Sequence, residues 1–110
     1  MRVHLVRKDT VEDFAVKHAA SRPALEDWLT KIRNANWEAP EDINDTFSAA
    51  DLLGNGSKRV VFDIGGNNYR MICKYWYGDT RVHLYIKWIG THAAYDMLCR
   101  KGKQYTVDDF

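Results

Sequence analysis

Residues 59–77 read Arg59-Val60-Val61-Phe62-Asp63-Ile64-Gly65-Gly66-Asn67-Asn68-Tyr69-Arg70-Met71-Ile72-Cys73-Lys74-Tyr75-Trp76-Tyr77, and this stretch decides the fold. Val60, Phe62 and Ile64 alternate with Arg59, Val61 and Asp63, a period of two that marks a strand with distinct faces. Gly65-Gly66-Asn67-Asn68 supplies residues that tolerate turn conformations, so the chain reverses into a second strand, Tyr69 to Tyr77. Gly78-Asp79 provides another turn. Beyond it Val82, Leu84, Ile86 and Trp88 alternate with His83, Tyr85, Lys87 and Ile89. Three adjacent antiparallel strands are predicted.

Toward the N-terminus, Arg2 to Val6 alternates briefly and reads as a further strand. Thr10 followed by Asp13 resembles a capping box, and Val11, Phe14, Ala15 and Ala19 then recur at helical spacing. Ser21 and Pro23 break that helix and suit the start of another, whose Leu25, Trp28, Leu29 and Ile32 form one apolar stripe. A helical hairpin follows. Residues 37–57 hold five acids and no Lys or Arg, with Pro40 and Gly54-Asn55-Gly56 as breakers, and read as a long connection without regular structure. At the other end Thr91 is the expected N-cap of a short helix through Cys99. The order β-α-α-β-β-β-α predicts an α+β fold, with a strand and helical hairpin packed on an antiparallel sheet, the helices on one face.

The chain of 110 residues, 45% hydrophobic and 28% charged, has room for a single domain, 1–110, able to fold without a disulfide or structural metal. Its apolar runs never exceed three residues, far short of a membrane span or signal sequence, so no membrane partner and a cytoplasmic location are expected. Cys73 and Cys99 then read as reduced thiols. His4, His18, His83 and His92 are scattered, so neither a metal site nor a cofactor is expected. Gly65-Gly66 lacks the lysine and hydroxyl residue of a phosphate-binding loop and joins strand to strand.

The net charge of +1 conceals an asymmetry: residues 1–57 carry −3, residues 58–103 carry +6, and the tail carries −2. Lys58, Arg59, Arg70, Lys74, Arg81, Lys87, Arg100, Lys101 and Lys103 supply the positive block, interleaved with Tyr69, Tyr75, Trp76, Tyr77, Tyr85, Trp88 and Tyr95. Basic and aromatic residues so mixed have the composition of a phosphate-binding surface. A solvated sheet face with core aromatics is the plainer alternative.

Three groups of residues carry a resemblance. Leu25-x-x-Trp28 with Ala35-x-Trp37 and Pro40, then Val61-Phe62-Asp63-Ile64-Gly65-Gly66-Asn67-Asn68-Tyr69-Arg70, then Ile89-Gly90-Thr91-His92-Ala93-Ala94-Tyr95-Asp96, together resemble the HigB toxins, a branch of the RelE-like mRNA interferases. The resemblance spans roughly residues 25–98. It implies a RelE-like fold and a toxin that cleaves mRNA on the translating ribosome, restrained by a HigA-type antitoxin with a helix-turn-helix domain. Ala94 and Lys87 depart from that family's usual acidic residue and arginine, and the tail from Lys103 has no counterpart in it.

Metal-free RNA cleavage needs a base for the 2′-hydroxyl, a cation for the charge developing on phosphorus and an acid for the departing 5′ oxygen. Arg70 offers a planar fork for two phosphate oxygens, or else pairs across the sheet with Asp63 or Asp79. His92 exchanges protons near neutral pH more readily than other side chains. Tyr95, three residues later, shares its helix face and suits stacking or a hydroxyl contact to phosphate. Lys87 completes the catalytic candidates, holding phosphate or protonating the leaving group. Lys58, Arg59, Lys74 and Lys101 are candidates for gripping the RNA backbone. The exposed slope of the helical hairpin is a candidate antitoxin surface. Two other functions fit the composition: a non-catalytic single-stranded RNA-binding module, and an interaction protein whose oppositely charged halves dock a partner.

Overall fold

The computed structural model describes residues 1–110. Strand β1 (Arg2–Val6) leads to helices α1 (Lys8–Lys17) and α2 (Arg22–Asn34), then a short α3 (Ile43–Thr46). Strands β2 (Asp51–Leu53), β3 (Arg59–Ile64), β4 (Tyr69–Tyr77) and β5 (Arg81–Thr91) follow, and α4 (His92–Arg100) precedes the tail. The five strands form one sheet in the order β1-β5-β4-β3-β2.

The expected hairpins are present: β3, β4 and β5 pair antiparallel, with Asp63 opposite Arg70 and Tyr69 opposite Thr91. The sheet as a whole is mixed, because β1 runs parallel to β5 at its edge. The α1–α2 hairpin carries the chain away from β1, so the strand it eventually meets need not be antiparallel. The acidic connection also holds more structure than its composition suggests. Asp51–Leu53 pairs with Arg59–Val61 through a glycine-bearing loop, while Trp37 and Ile43 reach the core. Helix α1 begins at Lys8 rather than at Thr10, since Arg7 in the left-handed region (φ 70°) turns the chain and leaves Thr10 buried inside the helix.

The two faces of the sheet do different work. Val60, Phe62, Ile64, Met71, Cys73, Val82, Leu84 and Ile86 point to one face, where Val11, Leu25, Trp28 and Ile32 of α1 and α2 pack on them. Burial of each large side chain there stabilises the fold by about 1.5–3 kcal/mol. On the other face Val61, Ile72 and Trp88 form a smaller cluster beneath Tyr95 and Leu98 of α4 and Val107 of the tail. The expectation of helices on one face only is therefore corrected. Val61 and Ile72 demand cover of their own, and α4 folds back to provide it.

A β-bulge makes this second cluster. Cys73 pairs with Ile86 but Ile72 pairs with Trp88, leaving Lys87 as an extra residue in β5. One added residue flips every later side chain to the opposite face. Trp88 thereby joins Lys87 on the α4 face, while Ile89 packs with the main core. The strict alternation expected from Val82 to Ile89 stops at Lys87.

Candidate active site

The α4 face of the sheet carries both the candidate catalytic residues and the basic groove. At one corner the β3–β4 turn meets the first turn of α4: the His92 backbone N–H donates to the Asn68 carbonyl at 3.0 Å. Thr91 caps α4 as expected, its hydroxyl oxygen accepting from the Ala94 N–H at 3.2 Å. Arg70 projects beneath this junction, in the row opposite Gly90.

Arg70 is buried, at 8% exposure, and its guanidinium is held by the turn. Nη1 donates to the carbonyls of Gly66 (3.1 Å) and Tyr69 (3.0 Å), Nη2 donates to Asn67 Oδ1 (3.2 Å), and Nε faces Asp63 at 3.2 Å. Three hydrogen bonds within the turn and the charge pair with Asp63 thus occupy most of the guanidinium. The free planar fork expected from sequence is thus replaced by a pinned cation, whose cross-strand pairing with Asp63 is the alternative that the register selects. What the corner retains is a positive charge in a fixed position.

His92 stands half-exposed at the start of α4. Its Nε2 lies 3.5 Å from Asp96 Oδ2, whereas Nδ1 is buried without a hydrogen-bond partner. Tyr95 lies one helical turn on, its ring 6.1 Å from that of Trp88. Burial above all, then contact with the Cys99 thiol and the charge of Asp51, raises the Tyr95 phenol well above its usual range, while Arg70 opposes the rise. A phenol so shifted stays protonated at neutral pH and donates a hydrogen bond.

Lys87 sits apart from this corner. Its ammonium is 3.0 Å from Asp108 of the tail, and its carbonyl accepts from the Asp109 N–H at 2.9 Å. Lys74 is four residues along β4 from Arg70, about 13 Å at strand spacing, and lines a groove of about 370 Å³ with Trp76, Tyr85 and Lys87. Lys58 lies with its ammonium 4.1 Å from the centre of the Trp76 ring. Arg59 is used differently from the other basic residues: it is buried and donates to the carbonyls of Val107 (2.6 Å) and Gln104 (3.3 Å), fastening the tail. Lys101 is exposed at the far end of α4 and joins neither group.

The structure thus ties the Arg70 turn to the start of α4 through Asn68 and His92, and separately groups Lys74 and Lys87 around Trp76, over which Lys58 lies. Sequence reasoning assigned no role to Asp96, although its spacing of four from His92 on a helix was the available signal. It also missed Asp108, for which no local pattern exists.

Comparison with known proteins supplies the family. Residues 21–98 match the family described as HigB_toxin, the RelE-like toxic component of a toxin-antitoxin system. The chain is 31% identical over 98 residues to the mRNA interferase HigB of Escherichia coli O6:H1 strain CFT073, covering 89% of this chain and 93% of that protein. It is 26% identical over 94 residues to the mRNA interferase toxin HigB of Escherichia coli strain K12, covering 86% and 88%. The same figures hold for the mRNA interferase HigB of Shigella flexneri. With a mixed sheet flanked by helices, a pinned arginine below the first turn of α4 and a family match over most of its length, this chain belongs to the HigB toxins, the RelE-like toxic components of toxin-antitoxin systems.

Proposed function

We propose that the chain is an mRNA endoribonuclease that acts on the translating ribosome without a metal, residues 1–110 working as one cytoplasmic toxin domain. The observation that carries this reading is the junction at which Asn68 accepts from the His92 backbone, setting the first turn of α4 above the Arg70 charge. The names of its relatives as mRNA interferases support the mRNA-cleaving part of this reading.

In this mechanism the RNA 2′-oxygen loses its proton and attacks the adjacent phosphorus. The bond from phosphorus to the 5′ oxygen breaks, leaving a 2′,3′-cyclic phosphate and a 5′-hydroxyl. Arg70 stabilises the negative charge that grows on the phosphate oxygens, and because the turn already holds it, no reorganisation is needed during reaction. His92 exchanges a proton with the reacting oxygens, and Asp96, 3.5 Å from Nε2, gives way to them when RNA binds. Tyr95 keeps its proton and donates a hydrogen bond to a phosphate oxygen. Lys58, Lys74 and Lys87 hold the flanking backbone. A HigA-type helix-turn-helix antitoxin restrains the toxin, and we assign its docking to the slope of the α1–α2 hairpin, where Val16 stands largely exposed.

Expression without an antitoxin should arrest growth and create new 5′ ends within mRNA. On purified ribosomes, His92→Gln should lower the single-turnover cleavage rate by roughly 10² or more while ribosome binding changes little, because the lost contact forms mainly in the transition state. A folded His92→Gln protein that cleaves normally removes His92 from the mechanism, and a 3′-hydroxyl product removes the cyclic-phosphate route. The exposed Trp76 in a basic groove favours a second reading, a non-catalytic module for single-stranded RNA. Absence of new 5′ ends would select it.

A further inference from the structure

The chain's own C-terminal tail lies across the basic face. Strand β1 pairs with β5 only as far as Tyr85, so the edge of β5 beyond it is open. The tail takes that edge. Asp109 donates its N–H to the Lys87 carbonyl, and Asp108 places a carboxylate on the Lys87 ammonium at 3.0 Å. Upstream, Arg59 grips the carbonyls of Gln104 and Val107, and Val107 packs against the cluster of Val61, Ile72 and Trp88.

These two halves of the tail are held with unequal strength. Residues 104–107 are secured by a buried guanidinium and apolar contact, whereas Asp108 is largely exposed and its ion pair is of the weak surface kind. The groove beside it has the chemistry of one nucleotide unit: two ammonium groups, on Lys74 and Lys87, next to the rings of Tyr85 and Trp76. Trp76 is 53% exposed and has Lys58 near its ring. An exposed indole flanked by cations offers a base a stacking surface and its phosphate a counter-charge.

We propose that Lys87 and Lys74, with Trp76 and Tyr85, form a subsite for one phosphate and its stacked base of a single-stranded RNA, and that the Asp108 carboxylate occupies its phosphate position as a built-in competitor. The substrate class rests on the RNA-cleaving reading above. Entry of RNA exchanges one anion for another on Lys87, so the Asp108 side chain swings off the ammonium while Arg59, Val107 and the Asp109 N–H bond to the Lys87 carbonyl keep the tail backbone in place. Charges on Lys87, Arg59 and Lys74 all act on the Asp108 carboxyl, as a phosphate site in this groove requires.

The test compares the full chain with a chain ending at Val107 and with Asp108→Asn, using a short, fully 2′-O-methylated RNA that cannot be cleaved by 2′-oxygen attack. Both changes should tighten binding several-fold. The truncated chain should also show a salt dependence steeper by roughly 0.7 on a log-log plot, because Lys87 then releases a counterion on binding. Adding Lys87→Gln to the truncated chain should abolish both gains, and Trp76→Ala should weaken binding by roughly tenfold, with Trp76→Phe restoring most of it. Unchanged or weaker binding by a folded truncated chain overturns the proposal, as does binding indifferent to Lys87 and Trp76. Tighter binding by the truncated chain, with no mRNA cleavage by any form, would sink the nuclease reading and leave the subsite standing. Cleavage with no effect of the tail on binding would do the reverse.

Discussion

Arg70 Nε lies 3.2 Å from Asp63 Oδ1, directly across the β3–β4 ladder, so the buried cation of the site is paired with a carboxylate from the strand that precedes its own turn. Asp63→Asn leaves that charge without its carboxylate while keeping the shape. Because Asp63 is partly open to solvent, the expected loss of stability is about 1–2 kcal/mol, read from urea unfolding. Arg70→Lys keeps a charge but concentrates its donors on one nitrogen and cannot span Gly66, Tyr69, Asn67 and Asp63 as the guanidinium fork does, so it should lose stability and retain more cleavage than Arg70→Gln. Equal cleavage by the two would show that the charge at Arg70 does not matter.

Gly90 owes its identity to Trp88. A Cβ at Gly90 would fall 2.6 Å from Cζ2 and 2.7 Å from Cη2 of the indole, which folds over it on the face that α4 covers. Gly90→Ala should therefore destabilise the protein by about 1–3 kcal/mol. Trp88→Leu in the same chain should recover part of that loss, giving a non-additive cycle in urea unfolding. Strict additivity would mean that the clash is relieved elsewhere.

The two thiols lie on opposite faces of the sheet and should behave differently. Cys73 is fully buried among the main-core residues, and that burial pushes its pKa far above the usual thiol range. Cys99 is partly accessible on α4. Iodoacetamide on the native protein should label Cys99 and spare Cys73 at pH 8, with both labelled in denaturant, as mass spectrometry would show. Rapid native labelling of Cys73 would contradict its placement in the core.

The tail contact has a pH signature of definite sign. The hydrogen bond from Lys87, together with the charges of Lys87, Arg59 and Lys74, holds the Asp108 carboxyl below its ordinary value of 3.8. A carboxyl depressed in the folded state adds stability above its unfolded pKa and loses it as pH falls through the folded one. The Asp108 side chain should consequently leave Lys87 under acid conditions below that ordinary value. The backbone NMR signals of Asp109 and Phe110 report this, and Asp108→Asn should remove the transition. An unaltered titration in Asp108→Asn would assign the change to another group.

Val60, Phe62 and Ile64, the Gly65–Asn68 turn and the stripe of Leu25, Trp28 and Ile32 determined the hairpins and the helix face locally, because alternation and helical spacing are short-range properties of the chain. The same short range made His92, Tyr95 and Arg70 recognisable as chemistry-bearing types. Tertiary structure alone decided what became of them. The bulge at Lys87 is a matter of register between β4 and β5, and it moved Trp88 to the face that α4 covers. The uncommitted capacity of Arg70 depended on which carbonyls the folded turn brought within reach, and the parallel pairing of β1 depended on where the helical hairpin returned the chain. Asp108 meets Lys87 across 21 positions of sequence because β1 stops short along β5 and leaves an edge for the tail, a consequence of sheet geometry that no periodicity encodes.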